Sequence, residues 1–107
     1  MEAKFIQDGK SIDIVAEARI AAGDVVISGE LIGVAKLDIP ANAAGSIALE
    51  GVYEVAKGDA VFAVGAKVYF DTENRIAVAA GGEKMVAIGV AVAAAAAAAE
   101  TVLVRIG

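Results

Sequence analysis

Apolar and polar residues alternate along most of this chain, and a period of two predicts short β-strands with one face turned inward. In "SIDIVAE", Ile12 and Ile14 take one face, while Ser11, Asp13 and Glu17 take the other. In "SIALEGVYEV", the inward set is Ile47, Leu49, Tyr53 and Val55, with Ser46, Glu50 and Glu54 outward. "TVLVRI" repeats the scheme with Val102, Val104 and Ile106 against Thr101 and Arg105. Further short strands are expected at Asp24 to Ser28, Leu31 to Ala35, Lys67 to Phe70, Ile76 to Val78 and Val86 to Val92. Turn signals separate them, among them Ala22-Gly23-Asp24, Ser28-Gly29-Glu30, Lys57-Gly58-Asp59, Asp71 to Asn74 and Gly81-Gly82. Evenly spaced short strands with glycine turns predict an all-β fold, a small barrel or sandwich.

The pattern also recurs. "IGVA" stands at Ile32 to Ala35 and again at Ile88 to Ala91, each time after a Gly-led strand, Gly23 to Val26 or Gly65 to Val68. Each copy leads through a connector to another alternating strand, near Ser46 or Thr101. The expected organisation is therefore one β domain over residues 1–107, with an arm at 1–10 and a weak repeat at 23–55 and 65–107. In the first copy the connector is "KLDIPANAAG", which Pro40 keeps from being helical throughout. In the second it is the alanine tract Ala93 to Ala99. Alanine's helix propensity makes one or two helical turns an expectation there, with a plain loop as the alternative. Seven residues are too few to hold a helix unsupported, so the tract leans either on its own domain or on a neighbouring subunit. The second option makes Ala94, Ala96 and Ala98 candidate subunit-interface residues.

Composition sharpens this picture. The chain has 107 residues, enough for one core, and is 59% hydrophobic but only 5% aromatic; 26 of its residues are alanine. Small side chains lose little entropy on ordering, so an alanine-rich surface favours close approach between subunits. The net charge is −5, and the nine Lys and Arg residues are scattered singly, which argues against nucleic acid as a partner. The longest uncharged run, Met85 to Ala99, is short of the roughly 20 apolar residues needed to cross a bilayer. The beginning, "MEAKFIQDG", has no apolar signal-peptide core, so synthesis in a cytoplasm is expected, with no membrane partner.

Candidate chemistry is sparse. Without histidine or cysteine, the chain cannot build Ser-His-Asp or Cys-His nucleophile systems or the usual zinc sites. Asp71, Glu73 and Asn74 offer oxygens for a hard cation, but the glycine and distal glutamate of a calcium loop are missing, and a polar turn accounts for them. "DGKS" at Asp8 to Ser11 ends like a phosphate-binding loop, yet Lys4 stands where that loop needs glycine, and a strand follows rather than a helix. Gly29 and Gly33 in "GELIG" read as turn and bulge positions. Lys84-Met85 faintly resembles the modified lysine turn of small biotin or lipoate carrier barrels, without the flanking residues of either pattern. No catalytic, cofactor-binding or metal-ligating residue is therefore expected, and a carrier or ligand-binding β-barrel is the alternative function.

Five stretches together resemble the small bacteriophage capsid cement, or head decoration, proteins. They are "FIQDG" from Phe5, "AAGDVVISGELIGVA" from Ala21, "LEGVYEVAK" from Leu49, "GAKVYFD" from Gly65 and the closing "IGVAVAA" with "TVLVRI". The resemblance covers nearly the whole chain and implies a non-enzymatic virion protein on the outside of an expanded head. It further implies similarity to lambda-type decoration proteins, which sit as homotrimers at three-fold positions. The implied partners are the major capsid protein and the chain itself. By the same analogy the arm residues Phe5, Ile6, Gln7 and Asp8 would reach the capsid, adding a strand to an exposed sheet edge. The long alanine connector is where this chain departs from the family pattern.

Overall fold

The computed structural model describes residues 2–6 and 9–107. The described residues form an all-β structure of nine strands and no helix. The strands are β1 (Ser11–Val15), β2 (Val25–Ser28), β3 (Leu31–Ala35), β4 (Ala44–Ala48), β5 (Gly51–Ala56), β6 (Lys67–Asp71), β7 (Ile76–Val78), β8 (Met85–Ala91) and β9 (Thr101–Ile106). The chain divides into two compact units, Met1–Glu50 and Gly51–Gly107. The division cuts the stretch "SIALEGVYEV", whose unbroken alternation predicts one strand. The inward parity survives the cut, but Gly51 takes a φ of +129°, which few L side chains adopt, and β4 and β5 belong to separate sheets.

The first unit is an antiparallel sheet ordered β1-β4-β3-β2. Ile12 pairs with Ile47, and Val34 with Ala48. Its core joins Ala16, Val26, Ala35, Ile39 and Ile47, with Ile12, Ile14, Ile20 and Leu49 packed against it. The second unit is ordered β5-β9-β8-β6-β7. Val102, Val104 and Ile106 of β9 are buried, as alternation requires, beside Val55, Phe62, Val68, Phe70 and Ile88. This sheet curls until β7 meets the end of β5, where Lys57 bridges Ala77 in parallel.

Without β7, the two sheets have one strand order: β1, β4, β3, β2 correspond to β5, β9, β8, β6. The match extends to single backbone hydrogen bonds. Gly23 N donates to Ala35 O at 2.9 Å, and Gly65 N donates to Ala91 O at 2.7 Å. Ile20 and Ile39 exchange bonds of 2.9 and 2.8 Å, while Phe62 and Ala95 exchange two of 2.9 Å. At this last pair a large residue and a small one replace two of middling size, so apolar volume is redistributed across a conserved bridge.

The alanine tract forms a loop, and the helical turn expected there is absent. Its backbone is pinned by the Phe62–Ala95 bridge, which holds Ala95 extended, and Ala99 N donates to Ala96 O at 3.0 Å to close a simple turn. Two cross-chain hydrogen bonds outweigh the weak helical preference of so short a segment.

Candidate interaction surfaces

The residues with possible chemistry are occupied locally. Asp71 Oδ1 accepts hydrogen bonds from Glu73 N at 2.9 Å and Asn74 N at 3.1 Å, and Oδ2 accepts one from Asn74 Nδ2 at 2.8 Å. The carboxylate braces the turn between β6 and β7, with Asn74 donating its amide nitrogen to it. No group of acidic residues suited to a metal ion occurs among the described residues. Lys84 Nζ lies 2.9 Å from Glu73 Oε1, both exposed, just before β8. Asp8 of "DGKS" lies outside the described residues.

The Asn74 carboxamide, then the backbone amides of Asn74 and Glu73, hold the Asp71 carboxyl below its ordinary value of 3.8 against an opposing effect of burial, with Lys84 adding a little. A depressed folded pKa contributes stability that is complete above 3.8 and disappears as pH falls through the lower folded value. Protection of the Glu73 and Asn74 amides, relative to their intrinsic exchange rates, is therefore expected to fall only below that ordinary value. In Asp71→Asn this acid-dependent step should vanish; an unchanged step would assign it to another carboxylate.

Lys57 is the buried cation that alternation alone would have revealed, since it shares the inward parity of Tyr53 and Val55. It is 7% exposed, and its ammonium donates to Gly58 O at 3.0 Å and Ala60 O at 2.7 Å. Its counterpart in the first unit is Ala16: Lys57 N donates to Glu100 O as Ala16 N donates to Ala43 O.

The duplicated plan also exposes a difference on the surface. In the first unit Arg19 and Asp38 form an exposed ion pair, Nη2 to Oδ2 at 3.4 Å, and Asp38 Oδ1 accepts Ala22 N at 2.8 Å. Arg19 and Asp38 each immediately precede a residue of the Ile20–Ile39 bridge, and Ala22 precedes Gly23. The residues that hold those places beside the Phe62–Ala95 bridge and Gly65 are Val61, Ala94 and Val64. Next along the chain, Lys36 N bonds Ser46 O in the first unit, and Val92 N bonds Leu103 O in the second. An ion pair, a lysine, a serine and an alanine thus give way to an alanine, three valines and a leucine, while Leu37, between Lys36 and Asp38, is the exposed apolar residue of the first unit's face. Val61 is 64% exposed, Val64 70%, and Val92 and Leu103 about 40% each.

Of the sequence-derived site residues, Ala94, Ala96 and Ala98 are all exposed, on the loop that carries this apolar face. Phe5 and Ile6 are exposed in the N-terminal arm, at 79% and 77%, and Gln7 and Asp8 lie outside the described residues. Among the described residues, no helix is long and apolar enough to cross a membrane. A family model described as phage cement protein matches residues 6–106. No curated protein and no solved structure matches the chain.

Proposed function

We propose, since this chain belongs to the phage cement protein family, that it binds the outer surface of an expanded phage head as homotrimers at three-fold positions and holds neighbouring capsomers together. The family assigns it a structural, capsid-binding place in the virion. The finer reading is supported by one observation above all: two units of one plan share the chain, and only the second replaces surface ion-pair positions with exposed apolar residues. Both units have the same local geometry, and the first places Arg19 and Asp38 at the corresponding positions, so folding alone does not require Val61 and Ala94 to be apolar. Exposed apolar residues gathered on bridged, neighbouring segments mark a surface that another chain covers. We assign the face of Val61, Val64, Val92, Ala94, Ala96, Ala98 and Leu103 to contact between copies of this chain.

Small residues on that face let two backbones approach closely and cost little side-chain entropy. Many symmetric attachments on one shell then combine, so a modest contact per copy suffices for lasting attachment. The occupied state of Asp71 and Lys84 accords with a protein that works by contact rather than catalysis.

The test is cryo-electron microscopy of expanded heads lacking the protein, imaged after the purified chain is added. The expected result is three-lobed density over three-fold positions, with the alanine loop between lobes. Density of single copies with that loop facing solvent would overturn the trimer assignment, and bare heads would overturn the capsid assignment.

A further inference from the structure

In the second unit, β7 fills the gap between the two ends of the curled sheet. It pairs antiparallel with β6, and Ala77, fully buried, bridges Lys57 in parallel just beyond β5. Among its described residues the first unit has no such strand, because β2 and β3 are joined by the tight turn Gly29-Glu30 where the second unit inserts residues 72–84. Its corresponding gap is a groove of about 410 Å³ running along the end of β1 and the outer side of β2, lined by Ile14, Ala16, Ile20 and Val26 together with the charged Glu17 and Arg19. The two units differ on a second count: the small Ala16 stands where the other unit has the buried Lys57, whose ammonium bonds Gly58 O and Ala60 O.

The closed unit thus specifies what fits the open one. The occupant is an extended segment that runs parallel to β1 and antiparallel to β2, and it carries an inward side chain much larger than that of Ala77 to replace both missing parts. The chain holds such a segment in its arm, Lys4-Phe5-Ile6, whose two large apolar side chains lie in solvent. The arm cannot serve its own groove. Only residues 7–10 separate it from β1, and a segment running parallel to the strand that follows it needs a crossover of a dozen or more residues.

We infer that the arm of one copy inserts as an added strand into the β1–β2 groove of a second copy, with Phe5 or Ile6 seated over Ala16. Because the arm and its groove lie at different places on each copy, the contact is head-to-tail and is satisfied for every copy only when a ring closes. This redirects the arm from the capsid, where the sequence resemblance places it, to a sister subunit, and it stands whether or not the capsid reading does.

The experiment uses the full chain carrying Phe5→p-benzoylphenylalanine, mixed as equal parts of ¹⁵N-labelled and unlabelled protein. It is irradiated both in concentrated solution and on expanded heads. The expected result in at least one state is labelled-to-unlabelled cross-links that map to Ile14 to Ile20 or Val26 to Gly29. The added variant Ala16→Lys, which puts the second unit's residue at this position, should lower their yield about tenfold, corresponding to ~1.4 kcal/mol. Cross-links confined to single chains, cross-links to the capsid protein alone, or no labelled-to-unlabelled product in either state would each overturn the inference.

Discussion

Replacing Gly89 by alanine is expected to cost about 3 kcal/mol or more and to lower Tm on the order of 12 °C or more in a domain of this size. An added Cβ there would run into the backbone carbonyl of Arg105, which no side-chain rotation can relieve. The same crowding occurs in milder form at Gly33, the matching residue of the first "IGVA", where a Cβ would lie 2.8 Å from Ala48 O and from Ile47 Cδ1. Part of that second clash falls on the end of a flexible side chain, so Gly33→Ala should cost less, about 1–2 kcal/mol. The twin glycines let β8 pass over β9, and β3 over β4, at a distance that a methyl group forbids. Urea unfolding of the two variants checks this. A Gly89→Ala chain as stable as the parent would contradict the β8–β9 packing.

The second large effect concerns assembly. The double substitution Val61→Arg with Ala94→Asp transplants the Arg19–Asp38 pair of the first unit onto the apolar face of the second. The new aspartate is placed to accept Val64 N, as Asp38 accepts Ala22 N. Surface ion pairs contribute little either way to folding, so the chain should keep its strands and melt within about 1 kcal/mol of the parent. Copies that must bury this face would then bury charge as well, and self-association measured by sedimentation should weaken at least about thirtyfold, ~2 kcal/mol. Assembly of undiminished strength would remove the face from the subunit contact. Since both residues are exposed, loss of folding is not the expected route to either result.

Much of the architecture was legible because alternation is a local signal that burial enforces. Leu31–Ala35 and Ile76–Val78 are strands at their expected limits, and Val102, Val104 and Ile106 face inward as their parity requires. What alternation cannot convey is where a strand stops and the next sheet begins. Between Leu49 and Tyr53 the inward parity continues across Gly51, so two strands in separate sheets look like one long one. The alanine tract misled for a related reason: helix propensity is a local preference, whereas Ala95 is fixed by hydrogen bonds to Phe62, more than 30 residues away in the chain.

The candidate surfaces were legible only in part. Exposed alanines at 94, 96 and 98 follow from the tract itself, but the apolar face around them depends on comparing two units position by position. That comparison is available in the sequence once the two "IGVA" copies are superposed, since Lys36 and Val92 directly follow them. The groove of the first unit was not legible, because it arises from a strand that is missing. Only the closed second unit, with β7 and Lys57 in place, shows what the first one lacks.

The central claim is that this chain strengthens a phage shell, and the most direct measurement is the temperature at which expanded, DNA-filled heads without it release their DNA, taken before and after the purified chain is added. The account predicts that added protein sediments with the heads and raises that temperature, and that the Val61→Arg, Ala94→Asp double variant raises it less. Heads that bind the protein yet release DNA at an unchanged temperature would contradict the account.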